Sequence, residues 1–419
     1  MQAPIAAGKA AHASAQRAWP MLAALCCGFM LSQAYRTAAA MMASHLQADF
    51  HLSAQQLGSY AGAFHFAFGA LQLFMGAGID VYGIRRTLLA VFPLTVAGAL
   101  LSAFSGGYAA AVLGQVLMGV GCAPAFLACT VFITRNFDAS RFASISGAVL
   151  GIGGCGMLLT ATPLAWLVQE SSWRAGFLAL AALSALGWVG ILLLVREAPR
   201  DRGEGGALDE IGAALRGFGK LLALPHTLGI IALGSVTYAS FMSLRGLWLG
   251  PLLVERYGYT LVQSGNVALL VSVVSLFGSP LFGRLDPGSA RRRRWIVGFT
   301  LGMALVYALM AWLHAALAVL AGAVLLAFVS GFIVLQYADV RASYPAELTG
   351  RAMAAFTMGM FLGIALMQWL TGVAASAAAA HGFDAYAAAL GAIALMLAGG
   401  ALAFVLLPAP GKAAGHGSP

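Results

Sequence analysis

The chain has 419 residues, 61% of them hydrophobic and only 9% charged, with a formal net charge of +9. A soluble domain carries about 25% charged residues, so this composition excludes an ordinary water-soluble fold. The positive balance does not indicate nucleic acid, because the basic residues follow the borders of apolar runs instead of forming one basic face.

Twelve apolar runs are legible, at 20–44, 55–77, 87–105, 108–134, 142–168, 175–195, 227–250, 261–283, 294–313, 316–338, 352–375 and 385–408. A membrane span needs about 20 mostly apolar residues. Hydrocarbon offers no partner to backbone amides, so each run must be a helix. The expected fold is an all-α membrane protein of 12 transmembrane helices in two six-helix pseudo-symmetric bundles. The expected divisions are a tail at 1–19, a first bundle at 20–195, a linker at 196–226, a second bundle at 227–408 and a tail at 409–419.

The first run is too long for a signal-peptide core and is expected to be a retained span. It carries Arg36, with Ser32 and Gln33 one turn earlier. The second run holds His65 and, two turns on, Gln72; Gly58 and Gly62 are spaced for close helix packing, as are Gly147 and Gly151 in the fifth run and Gly359 and Gly363 in the eleventh. The linker begins REAPRDRGEGGALDE, a charged, Gly-rich stretch. Beyond it Leu208, Ile211, Leu215, Phe218 and Leu222 recur at three- and four-residue steps, the spacing of a short surface helix. The seventh run carries Arg245, and helical spacing puts Tyr238, Phe241 and Trp248 on its face. Gln115, Gln263, Asn266, Gln336 and Gln368 are further polar positions within runs, each open to a cavity role or to bonding a neighbouring helix. Cys26, Cys27, Cys122, Cys129 and Cys155 are all intramembrane, without metal or disulfide spacing, and read as packing residues.

Of the 23 Lys and Arg, 19 fall in the two tails and the loops on one side, leaving Arg174 and Arg256 opposite and Arg36 and Arg245 within spans. The positive-inside rule places both termini in the cytoplasm. The halves also repeat. Asp80 with Arg85 and Arg86 corresponds to Asp286 with Arg291 and Arg292 at an offset of 206, as does Arg135 to Arg341. Gly151 and Gly359 differ by 208, and Arg36 and Arg245 by 209.

The segment GAGIDVYGIRRTLL, Gly76 to Leu89, resembles the signature between spans 2 and 3 of the major facilitator superfamily (MFS). Gly76, Asp80, Gly83, Arg85 and Arg86 match that signature; Gly78, Val81 and Ile84 depart from it. The resemblance implies two bundles rocking about a central cavity in a bacterial inner membrane. It also implies a charge cluster of Asp80, Arg85, Arg86, Asp286, Arg291 and Arg292 that holds the outward-facing state. The antiporter signature of span 5 is absent from GAVLGIGGCGMLLTATP, and Gln115 stands where antiporters carry arginine, which argues against a drug/proton antiporter.

Intramembrane arginine is costly and marks function by default. Arg36 and Arg245 each lie roughly 25 Å into their runs at 1.5 Å per residue, and no acidic residue falls mid-span beside either. Snorkelling to the outer interface is the plain alternative. A fork of guanidinium donors without a carboxylate suits an anionic ligand, and the resemblance agrees, since anion carriers of the superfamily hold their ligand between arginines of spans 1 and 7. The expectation is a secondary active transporter of a small solute, an organic anion, by proton symport or exchange. Arg36, Arg245, His65, Gln72, Gln33, Tyr238, Trp248 and Gln336 would contact the solute, with His65 the candidate proton carrier. An exporter of amphipathic drug-like compounds or siderophores is the alternative. No enzyme constellation is present, and no cofactor or metal is expected. The lipid bilayer, the solute and coupling protons are the expected partners of a monomer.

Overall fold

The computed structural model describes residues 3–138, 141–197, 212, 219 and 221–408. Of the expected surface helix in the linker, only Leu222 falls among the described residues. No strand occurs among them. The first helix, α1, runs Ala3–Phe50, with Ala18–Phe50 apolar enough to cross a membrane.

Eleven continuous segments among the described residues are long and apolar enough to cross. One of them, Phe74–Ala103, contains a break at Gly83, where φ is 84° and ψ is 167°. That conformation is essentially restricted to glycine. It turns the chain back on itself and divides α2 (54–82) from α3 (84–103). The remaining spans are α4 (Tyr108–Asn136), α5 (Ser144–Glu170), α6 (Trp173–Leu194), α7 (Pro225–Arg256), α8 (Leu261–Arg284), α9 (Ser289–Leu313), α10 (Ala316–Ser343), α11 (Leu348–Ala380) and α12 (Ala385–Leu406). Twelve spans therefore stand where twelve runs are read. Several extend past their apolar run because polar flanks continue the helix: α1 reaches Phe50 and α7 reaches Arg256.

The half-repeat is built into the backbone. Gly288 repeats the conformation of Gly83 almost exactly in kind, at φ 77° and ψ 166°, between α8 and α9. A capping box opens α2, where the Gln56 amide donates to Ser53 Oγ at 3.2 Å and the Ser53 amide to Gln56 Oε1 at 2.9 Å. The same box opens α8, with the Gln263 amide donating to Thr260 Oγ1 at 3.1 Å and the Thr260 amide to Gln263 Oε1 at 2.9 Å. Each box satisfies two amides that a helix start leaves orphaned. Gln263 is thus a helix cap.

The two bundles meet along two seams, α2 against α11 and α5 against α8, with α1 and α7 between them. At Gly58 a methyl group would run into the Gln368 carbonyl, and at Gly62 one would lie 3.0 Å from the Ala365 carbonyl. These two glycines therefore let α2 and α11 touch. Gly359 and Gly363 instead face Ile231 and Ser235 of α7 inside the second bundle, and nothing lies within 4 Å of a side chain's start at Gly147 or Gly151. Of the three small-residue pairs, only that of α2 sits in a closed seam.

Both seams are closed toward the end opposite the linker. There the Gln55 amide donates to Ser376 Oγ at 2.8 Å, Ser44 Oγ to Glu255 at 2.8 Å, and Thr162 Oγ1 to Asn266 Oδ1 at 2.8 Å. Each of these bonds crosses from one bundle to the other. Toward the linker end, nothing lies within 4 Å of where a side chain would start at Gly147 or Gly151 of α5, and contact with α8 begins at Gly154, against Leu276. The seams are thus bonded across the far end, and α5 is uncovered toward the linker end.

Candidate functional site

The centre of the molecule is where α1 passes α7. A Cβ at Gly246 would meet the Arg36 carbonyl at 2.8 Å, so the backbones of the two arginine-bearing segments nearly touch. α7 is underwound there: Leu244–Trp248 and Leu252–Arg256 are π-helical turns around a short α turn. A π turn inserts a residue into the helical register. The three- and four-residue spacing that groups Tyr238 and Trp248 with Arg245 therefore fails.

Arg36 is 6% exposed. Its guanidinium carbon sits 4.7 Å from the ring centroids of both Phe68 on α2 and Phe361 on α11. Two aromatic faces from different bundles thus hold the planar cation. Tyr238 and Tyr337 are its polar neighbours, and its Nε has no hydrogen-bond partner. Arg245 is fully buried. It donates from Nε to Ser272 Oγ on α8 at 3.0 Å and from Nη2 to the Met157 carbonyl on α5 at 3.0 Å, while Nη1 has no partner. No carboxylate lies in ion-pair range of either arginine among the described residues. The two side chains point to opposite seams, Arg36 to α2 and α11, Arg245 to α5 and α8.

His65 on α2 is buried beside Arg36 and Gln368. Its Nδ1 faces the Ala61 carbonyl at 3.3 Å and its Nε2 has no partner. Gln33 is half-buried with an unpartnered Oε1. Gln336 is buried, accepts from Thr237 Oγ1 at 3.0 Å and keeps an unpartnered Nε2. Gln72 donates to the Ala123 carbonyl at 3.3 Å. Trp248 donates to Thr371 Oγ1 at 2.9 Å and packs against Tyr386, on the far side of α7 from Arg36. The structure thus brings His65 and Tyr238 to Arg36, and it engages Gln72 and Trp248 elsewhere. Gln115 stays within the first bundle beside Tyr60, and Asn266 bonds Thr162.

Sequence reasoning passes over Phe68 and Phe361 at this centre and names Gln368 only among five polar positions within spans. Phe68 and Phe361 look like two among 24 phenylalanines. Their common signal is position, one on each helix of the closed seam. Gln368 is fully buried, and neither polar atom of its side chain has a partner.

At the linker end the signature residues form a network within each half. Arg135 Nη2 lies 3.6 Å from Asp80, and Arg135 Nη1 lies 3.1 Å from Glu197. Glu197 also accepts from the Arg85 amide at 3.2 Å, and Arg85 Nη2 donates to the Leu192 carbonyl at 3.1 Å. Arg86 is exposed, and Gly76 faces Leu127. In the second half Arg292 grips Asp286 through Nε at 2.9 Å and Nη2 at 2.6 Å, and donates to the Ala338 carbonyl at 3.3 Å; Arg291 is exposed. This fork, with the Gly288 amide, holds the Asp286 carboxyl below its usual range. Glu197, an acid just past α6 in a charged linker, is the member the motif does not contain.

The family description Major Facilitator Superfamily matches residues 24–368. The chain belongs to the Major Facilitator Superfamily. Among curated relatives of this MFS chain, a probable sulfoacetate transporter of Cupriavidus necator is 22% identical over 276 residues, 64% of this chain and 64% of that protein. A uridine/deoxyuridine transporter of Lactococcus lactis subsp. cremoris is 24% identical over 252 residues, 55% of this chain and 50% of that protein. The matches thus span between half and two thirds of the relatives' length. Among solved structures, a D-xylose-proton symporter aligns with a TM-score of 0.71 at 17% identity over 94% of this chain and 98% of that one. A nucleoside transporter aligns with a TM-score of 0.72 at 14% identity over 93% and 99%. These likenesses show the fold of two six-helix bundles in a multi-pass membrane protein, and the family match over residues 24–368 places the chain in a superfamily of transporters, not of enzymes.

Proposed function

We propose that this MFS protein moves a small organic anion across a bacterial inner membrane by alternating access, as a monomer coupled to protons or to counter-exchange. One observation carries the reading: two buried guanidiniums at the bundle interface lack a carboxylate, and each retains an unpartnered N–H. Charge buried without a counter-charge is expensive. An anionic ligand supplies the counter-charge and the missing acceptors together. Sulfoacetate, in the name of one relative, is such an anion; uridine, in the name of the other, is not. The positive-inside bias supports a cytoplasmic linker end with both termini on that side. The conformation is then inward-open, with the anion site beneath a closed outer seam. His65 is the candidate proton carrier, with Nε2 unpartnered beside Arg36.

The test is binding by purified protein of a panel of carboxylates, sulfonates and phosphates, followed by counterflow in proteoliposomes. At least one anion should bind, and R36Q should weaken it at least tenfold. Binding confined to neutral or amphipathic compounds, unaffected by R36Q, overturns the reading in favour of an exporter that uses the aromatic pair alone.

A further inference from the structure

The two arginines occupy equivalent places in the two seams, but their surroundings differ. Arg245 has Nε and Nη2 committed to Ser272 and the Met157 carbonyl. Arg36 has two aromatic faces, Tyr238, Tyr337 and His65 around it, and no hydrogen bond fixes its Nε. Next to Arg36, at the α2–α11 seam, lie the groups that lack partners: His65 Nε2 and both the Oε1 and Nε2 of Gln368. Gln368 is 0% exposed, and its Nε2 comes within 3.8 Å of where a side chain at Gly246 would begin, beside the Arg36 carbonyl. Both polar atoms of its side chain are buried without a well-formed hydrogen bond, and the His65 ring is their polar neighbour.

A buried amide left unpartnered forfeits its hydrogen bonds to water without replacement. Packing does not require this chemistry: methionine or leucine would fill the volume without that cost. We propose that Gln368 is a specificity-determining residue that reads a hydroxyl or carbonyl on the substrate beside its anionic group. The inference rests on the anion reading above and narrows it. Arg36 takes the charge. The Gln368 amide, with one acceptor and one donor edge, takes a neighbouring group that can both donate and accept. The preferred ligand is a hydroxy- or oxo-substituted small acid over its unsubstituted counterpart. A site built to hydrogen-bond such a group rejects the analogue lacking it far more strongly than an apolar pocket does.

The experiment is isothermal titration of the purified full chain with matched pairs: glycolate and acetate, malate and succinate, isethionate and ethanesulfonate. At least one substituted member should bind ten times tighter than its partner. In Q368M that ratio should fall below three, with the unsubstituted member bound within threefold of its affinity for the original protein, which also reports intact folding. Q368E, nearly the same shape, should weaken both members by setting a carboxylate against the anion. Anion binding without preference for the substituted member, or a preference that survives Q368M, overturns this inference and leaves the anion reading standing. No binding of any anion overturns both.

Discussion

At the scale of single residues, Arg36 and Arg245 show how equal sequence signals acquire unequal environments. Lysine at position 36 would keep the charge but lose the plane that lies between Phe68 and Phe361. R36K is therefore expected to bind the anion about tenfold more weakly, since a desolvated cation–π contact is worth up to about 2 kcal/mol, and titration of the same panel measures it. Had the arginine only snorkelled, R36K would bind as the original does. Gly83 offers a second residue-scale prediction. Alanine there adopts a glycine-only conformation, at about 1–3 kcal/mol, and its Cβ lies 2.5 Å from Glu197 Oε2. Gly288 shares the conformation but has nothing within 4 Å. Thermal unfolding in detergent should show G83A lowered more than G288A; equal losses would mean that the Glu197 contact contributes nothing. The Asp286 carboxyl adds a pH dependence. Its folded value is depressed by Arg292, so its stabilisation is present at neutral pH and is lost as pH falls through the carboxylate range. The stability gap between the original chain and D286N should narrow below about pH 4; a gap constant with pH rejects the clamp.

The arginines, Asp80 and the matched loop residues are legible without a structure because a charge inside or beside an apolar run stands out. Gln368 is legible only as one of five polar positions within spans, and Glu197 is not legible at all. One is a neutral polar residue within a span, the other an acid in a charged linker, and what distinguishes each is an unmade or long-range bond that spacing does not encode. At the scale of elements, the count of twelve spans and their repeat are equally legible, because hydrocarbon imposes length and helicity. The π turns of α7 are not, and they part Trp248, which bonds Thr371, from Arg245. The small-residue pairs divide for a similar reason. G-x-x-x-G spacing marks a face without saying which neighbour the face meets. This makes a paired prediction. G58A drives a methyl into the Gln368 carbonyl across the α2–α11 seam, and should cost the 1–3 kcal/mol typical of overpacking. G151A enters open space and should leave stability within 0.5 kcal/mol. Unfolding midpoints of the two proteins decide it, and similar losses would remove the seam as the cause.

At the scale of the whole molecule, the outer closure rests on bonds that link the bundles and must all break for the opposite state to form. Glu255 takes one of them. It accepts from Ser44 of the other bundle at 2.8 Å, and also from the Tyr386 hydroxyl of its own. The Ser44 bond ends on a carboxylate, and a hydrogen bond to a charged group is worth about 1.5–3 kcal/mol. It exists only while the outer seam is shut, so its loss acts on one conformer and shifts the population between them. Without it, the ratio of this conformer to the opposite one should fall by a factor of about 10 at the lower end of that range. S44A removes the donor at small cost in volume. A cysteine at Gly151 reports the open linker end, where nothing lies within 4 Å of its Cβ. A cysteine at Gln55 reports the outer seam, where the Gln55 amide meets Ser376. In the S44A background, a membrane-impermeant maleimide should label Gly151→Cys more slowly from the linker side and Gln55→Cys faster from the far side. Both rates must move, in opposite directions, because one rocking equilibrium governs both faces. A change at position 55 alone would mean local fraying, and Ser44 would then be no part of the closure.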